Sequence, residues 1–194
     1  MESTTRQRLT EAATRRFYRD GFRNVGLDQV LADVGISKTA FYKHFESKED
    51  LVLASLDMKN RWLQDVFRDM IRQRGGPSAD GQLRSLLDVV EQIIDSDEYQ
   101  GCIFVNVAME YPLPHEPAHV AAAQHKQAIE EIVCELAVSA GVAEPQTLAQ
   151  QLCLIMEGAY VTRQVTGNKQ TAEIARRLAD LAIDAHLPKT ARER

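Results

Sequence analysis

Much is missing from this 194-residue chain, and each absence removes a class of molecule. No apolar run approaches the roughly 18 residues that span a bilayer, so no membrane partner is expected. The start, MESTTRQRLTEAATRRF, has none of the apolar stretch that a secretory signal needs, and a cytoplasmic location is expected. The three cysteines, Cys102, Cys134 and Cys153, are odd in number and far apart, which fits reduced thiols rather than a disulfide framework. There is no Cys-x-x-Cys and no His-Glu-x-x-His. His115 and His119 stand four apart, but Pro117 lies between them, so neither a metal site nor a cofactor is expected. Gly-x-Ser-x-Gly, a phosphate-cradling Gly loop and a dinucleotide fingerprint are all absent; no catalytic residue is named and an enzyme is not expected. Repeats and low-complexity tracts are lacking too.

An excess of positive charge is also missing, since the net charge is −5. Its distribution matters more than its sum. Residues 1–50 hold nine Lys or Arg against eight Asp or Glu, net +1, which leaves 14 against 20, net −6, for the remainder. The acidity therefore belongs to the C-terminal part. Arg6, Arg8, Lys38, Lys43 and Lys48 are expected to be free to line one surface.

What is present is concentrated in Ile36–Leu51, ISKTAFYKHFESKEDL. On a wheel of about 100° per residue, Lys38, Thr39, Tyr42 and Lys43 share one half, and Ala40, Phe41, His44 and Phe45 the other. One face is apolar and the other carries cations, a hydroxyl and a phenol, as a helix needs if it rests on a small core and enters a DNA groove. Upstream, LDQVLADV (27–34) has apolar positions 27, 30, 31 and 34, the spacing of an amphipathic helix. Gly35 can end that helix and Ser37 can cap the next. Helix, short Gly-containing turn, helix is the helix-turn-helix arrangement; an ordinary helical hairpin is the plainer reading.

The run GFRNVGLDQVLADVGISKTAFYKHFESKEDL resembles the DNA-binding signature of TetR-type transcriptional regulators, over roughly residues 6 to 55. GCIFVNVAMEY (101–111) resembles a segment of the ligand-binding domain of some TetR-family members. The resemblance implies that Lys38, Thr39 and Lys43 face base edges, and that Tyr42, His44 and Lys48 hold phosphates. His44 lies at the edge of the inward half, so packing is its other reading. The family usually has Ser or Thr at the start of the first helix of the motif; here Val25 and Gly26 stand there, without a hydroxyl for a phosphate.

The chain reads as all-α, with about nine helices. These are Thr4 to Asp20, the two motif helices, Lys48 to Arg72, Leu83 to Ile94, 101–110, Ala118 to Ala140, Glu144 to Thr166, and Thr171 to His186. GGPSADG (75–81) and YPLPHEP (111–117) read as loops. Ser47 with Asp50 reads as a capping box, and PKTARER (188–194) is expected to fray. Residues 1–46 form a three-helix DNA-binding domain, and 47–194 a larger helical ligand-binding and dimerisation domain. Large apolar groups with a few polar ones suit a pocket; the candidates are Trp62, Phe104, Asn106, Met109, Glu110, His125, Met156, Glu157 and Tyr160. The apolar stripes of 148–165 and 174–187 suit a homodimer, and the resemblance implies that these two helices pair in a four-helix bundle.

The function expected is a ligand-responsive regulator, a repressor released from a palindromic operator in double-stranded DNA by a small organic effector. The alternatives are a thiol- or metal-responsive sensor on the same scaffold, and a helical protein-binding adaptor.

Overall fold

A computed structural model describes residues 4–187; the tail 188–194, expected to fray, lies outside the described residues. Within them the chain forms nine helices and no strand. These are α1 (Thr5–Asp20), α2 (Leu27–Val34), α3 (Lys38–Phe41), α4 (Lys48–Gly75), α5 (Ala79–Ile94), α6 (Ile103–Glu110), α7 (Pro117–Ser139), α8 (Pro145–Thr166) and α9 (Thr171–His186).

The helix starts follow from side-chain chemistry. Thr4 accepts from the Gln7 amide at 3.2 Å, and Gln7 Oε1 accepts from the Thr4 amide at 2.8 Å, a complete capping box. Ser37 Oγ accepts from the Ala40 amide at 3.2 Å and opens α3. At α4 the box is half made. Ser47 Oγ accepts from the Asp50 amide at 3.1 Å, but the Asp50 carboxylate takes the Glu46 amide, one residue earlier than a reciprocal box requires.

One loop is shorter than the sequence suggests. Helix α4 continues to Gly75, and α5 begins at Ala79 rather than Leu83. Ser78 accepts from the Gly81 amide at 3.1 Å, and a Cβ on Gly81 would sit 2.3 Å from the Gly75 carbonyl oxygen. Glycine at 81 lets the two helices close up where any larger residue would hold them apart.

Packing divides the chain into two compact units, the first comprising residues up to Leu63 with Cys102–His125, the second Gln64–Gly101 with residues from Lys126 onward. The expected division at 46/47 follows the chain, whereas the packing assigns the first part of α4 and all of α6 to the motif's unit. Its core holds Leu9, Phe17, Phe22, Val30, Phe41, Phe45 and Leu51 together with Ile103, Phe104 and Val107 of α6. The second unit is built on α5, α8 and α9, with Leu83, Leu86, Leu87, Leu148, Leu152, Ala175, Ala179 and Ile183 at its centre.

Candidate nucleic-acid interface

The reading segment is anchored from below. Phe41 and Phe45 are almost fully buried and stack with ring centroids 5.5 Å apart. Each buried ring contributes about 2–3 kcal/mol of hydrophobic stabilisation, so the wheel position of every neighbouring residue is fixed. Helix α3 itself has only four residues. Beyond it the backbone tightens, with the Lys43 amide bonded to the Ala40 carbonyl and the His44 amide to the Phe41 carbonyl. The outward half holds the expected groups: Lys38, Thr39, Tyr42 and Lys43 are all exposed, Tyr42 by 57%. A phenol with that much of its surface in water is not serving the core.

The cations have more local partners than the sequence suggests. Lys38 Nζ lies 3.1 Å from the Asp28 carboxylate at the start of α2. Arg8 donates to the Val34 carbonyl at 2.9 Å. Arg6 donates to the His44 carbonyl, and its guanidinium lies 4.1 Å from the centre of the Phe45 ring. Lys48 Nζ donates to the carbonyls of Phe22, at 2.7 Å, and Arg23, at 3.4 Å. Its partial burial lowers the ammonium pKa below the usual lysine value. Arg6, Arg8 and Lys48, expected to be free, each bind main-chain oxygen. Half-buried His44 stands between the two expected faces. At Gly26 the N-cap has no side chain; instead Gln29 Oε1 accepts from the Gly26 amide at 2.8 Å.

The pocket candidates are shared between the two units. Phe104 and His125 stack with centroids 3.7 Å apart, and His125 Nδ1 lies 2.7 Å from Asn60 Oδ1. Half-buried Asn106 is on α6 as well. Met109 is 77% exposed, and Trp62 is half in solvent with Lys59 Nζ 3.9 Å from its ring centre. Glu110 accepts from the backbone amides of Phe22, at 3.0 Å, and Arg23, at 2.6 Å. Met156 and Tyr160 belong to α8 of the second unit, where Met156 is buried and the Tyr160 carbonyl accepts from the Tyr99 hydroxyl at 2.9 Å. Glu157 receives the Lys126 ammonium at 2.6 Å. A cleft of about 190 Å³ in that unit is lined by Arg68, Ile71, Arg72, Gln82, Ile132 and Leu136 among others, none of them a candidate.

Helices α8 and α9 each carry two apolar stripes. On α9 the inward set is Ala172, Ala175, Ala179 and Ile183, while the larger Ile174, Leu178 and Leu181 point outward. On α8 the outward set is Leu154, Gly158, Val161 and Val165, spaced four, three and four residues apart. A helix facing water would be polar on that side.

The description "Bacterial regulatory proteins, tetR family" matches residues 9–55, and "Tetracyclin repressor-like, C-terminal domain" matches residues 80–179. The chain belongs to the TetR family. Among TetR-family relatives it is 25% identical to the HTH-type transcriptional regulator YjdC of Escherichia coli, over 82% of this chain and 83% of that one. It is 30% identical to the HTH-type transcriptional repressor DhaR of Mycobacterium sp. over 54% of this chain and 51% of that one. A TetR-family regulator from Streptomyces coelicolor, SCO4454, superposes with a TM-score of 0.83 at 30% identity, covering 94% of this chain and 96% of that one. This TetR-family protein is therefore a helix-turn-helix transcriptional regulator. No helix among the described residues is long and apolar enough to cross a membrane.

Proposed function

We propose that this regulator is a ligand-responsive homodimer, acting as a repressor on a palindromic operator, with residues 1–46 reading DNA and residues 47–194 binding effector and partner. The observation that carries the reading is the exposed row of Lys38, Thr39, Tyr42 and Lys43 above the buried Phe41 and Phe45. Thr39 offers a hydroxyl and a methyl to base edges, Lys43 can donate to guanine acceptors, and the Tyr42 phenol reaches a phosphate. One such head reads too few base pairs for useful specificity. Pairing two through the outward stripes of α8 and α9 sets reading segments about 34–36 Å apart on a two-fold site. The repressor sign has support in the name of the relative DhaR.

A small organic effector then acts by binding the DNA-bound and released forms with different affinity. Helix α4, which starts at Lys48 beside the reading segment, carries the change. A thiol response through Cys153 is less supported, because burial pushes that thiol up to about 12, far from a reactive thiolate.

The test is selection of bound duplexes from a random pool by the purified full-length protein. A palindromic winner with half-sites about one helical turn apart is expected. Recovery of no preferred sequence, or binding that survives high salt unchanged, overturns the reading.

A further inference from the structure

Lys38 opens the reading segment with a counter-charge already beside it. Its ammonium lies 3.1 Å from one oxygen of the Asp28 carboxylate and 3.5 Å from the other. Asp28 stands in the first turn of α2, ten residues back in the chain. Both groups are in water, the lysine side chain 57% exposed and the aspartate 79%. The core of the unit therefore gains nothing from this acid. Lys38 and Lys43 are the two cations on the exposed half of the segment, and Asp28 neutralises one of them.

An anion at that place acts differently on two kinds of DNA. Any group that Lys38 meets comes within a side chain's reach of Asp28. A phosphate drawn to the ammonium then faces the carboxylate charge as well, and is repelled. A guanine edge is neutral and is not. The ammonium has three protons, so it can keep Asp28 on one and donate the others to O6 and N7. Ion pair and base contact coexist, whereas ion pair and phosphate contact oppose each other. Specificity is the difference between the two affinities, and a repulsive group that weakens the wrong complex raises it.

We propose that Asp28 is a specificity-determining residue of the DNA interface, acting through Lys38 to lower affinity for arbitrary DNA more than affinity for the operator. This rests on the reading proposed above, in which Lys38 meets DNA. The ratio of the two affinities is what matters, because arbitrary sites far outnumber operators.

The experiment uses the full-length protein with two duplexes, the one recovered by the selection and one of mixed sequence. Binding is followed by anisotropy across a salt series. Asp28→Asn is expected to bind the mixed duplex up to about fivefold more tightly, the upper end for an exposed pair. Its salt slope there should steepen by up to about 0.9, as the released ammonium takes up a phosphate. Operator affinity is expected to change less than about twofold, so the preference for operator falls. In a Lys38→Met background the same change should alter mixed-duplex binding less than about twofold, because the acid has lost the group it acts through. Asp33→Asn is the charge control. It lies on α2 too but is held by Arg16, and it is expected to leave both affinities near those of the wild type.

A carboxylate that only complements the amide dipoles of the α2 first turn predicts the reverse direction. Asp28→Asn would then lower the melting temperature and weaken binding to both duplexes alike, which overturns the proposal. So does an operator that tightens as much as the mixed duplex, or an equal gain in Asp33→Asn or in the Lys38→Met background. Wild-type affinities in Lys38→Met, or a selection that yields no preferred sequence, refute the underlying reading and the proposal with it. A weakened Lys38→Met beside an inert Asp28→Asn refutes the specificity role alone.

Discussion

Both compact units pair cations with carboxylates, Arg16 with Asp33 in the first among them, but main-chain grips by cations gather round the reading segment of the first. In the first, Arg6, Arg8 and Lys48 donate to main-chain carbonyls. In the second, arginines tie helices together through carboxylates: Arg84 of α5 reaches Asp180, at 3.6 Å, and Asp184, at 2.8 Å, on α9. Arg176 of α9 reaches back to Asp88 at 2.8 Å, and to Glu91, both on α5. Helix length explains the contrast. The last four carbonyls of any helix lack an internal partner, so α2 and α3, with eight and four residues, are nearly all ends. Long helices such as α5 and α9 are mostly sides, and sides are joined by charge pairs. Net charge therefore misleads in both units. The first has fewer cations available for DNA than its sequence counts, and many of the second's carboxylates are neutralised where they stand.

The units also differ in what they leave outside, polar groups on the reading segment and large apolar ones on α8 and α9. The largest expected effect lies there. Leu181→Glu, at a site 68% exposed, should leave the fold intact, give monomers in sedimentation and abolish binding to a two-fold duplex. A dimeric Leu181→Glu protein would break the contrast between the two surfaces. Next comes Arg176→Ala. It strands Asp88 and Glu91 beside one another, Glu173 keeping Arg177 at 2.9 Å, and should cost about 2 kcal/mol in urea denaturation, discounted from fully buried pairs because water reaches the site. Its cost should shrink at about 1 M salt, where screening acts within about 3 Å. Arg8→Ala removes one carbonyl partner and should cost about 1 kcal/mol, with little dependence on salt. Equal salt dependence for the two arginines would erase the distinction.

Smaller still is Gly26→Ser. The residue has φ −77° and ψ 149°, and a Cβ would meet only Gln29 Oε1 at 3.7 Å. A hydroxyl there should add a few tenths of a kcal/mol to stability and tighten DNA binding through one more phosphate contact, at an unchanged salt slope because a hydroxyl carries no charge. Least of all is the response to acid. Hydrogen bonding to Arg16 holds the Asp33 carboxyl below its ordinary value, and hydrogen bonding to Arg19 does the same for Asp20. Lowered carboxyl values mean that this contribution is present above the ordinary carboxylate range and lost as pH falls through the lowered value. Carboxyl shifts followed by nuclear magnetic resonance should show both midpoints depressed, and Arg16→Gln should return Asp33 toward the ordinary range.

Periodicity and capping chemistry made most helices legible in the sequence. Phe41 and Phe45 fall inward and Tyr42 and Lys43 outward because a wheel needs only local geometry. The start of α5 was missed because Ser78 competes with the breaker signal of its neighbouring glycines and proline. The partners of Lys48 and Glu110 could not be seen at all. Glu110 meets amides 88 and 87 residues away in the chain, and a main-chain N–H has no residue type to betray it. Glu110 read as a pocket residue for that reason, and Lys48 as a free cation. The outward stripes of α8 and α9 were legible as apolar, but which of two apolar faces stays uncovered depends on packing, with α9 turning its alanines inward.

The grip of Arg6 on the His44 carbonyl has a practical consequence at the bench. It joins the first turn of α1 to the end of the reading segment, so Arg6→Ala should loosen the His44 end of that segment, seen as faster amide exchange there. Assays of binding should therefore keep Arg6 in place.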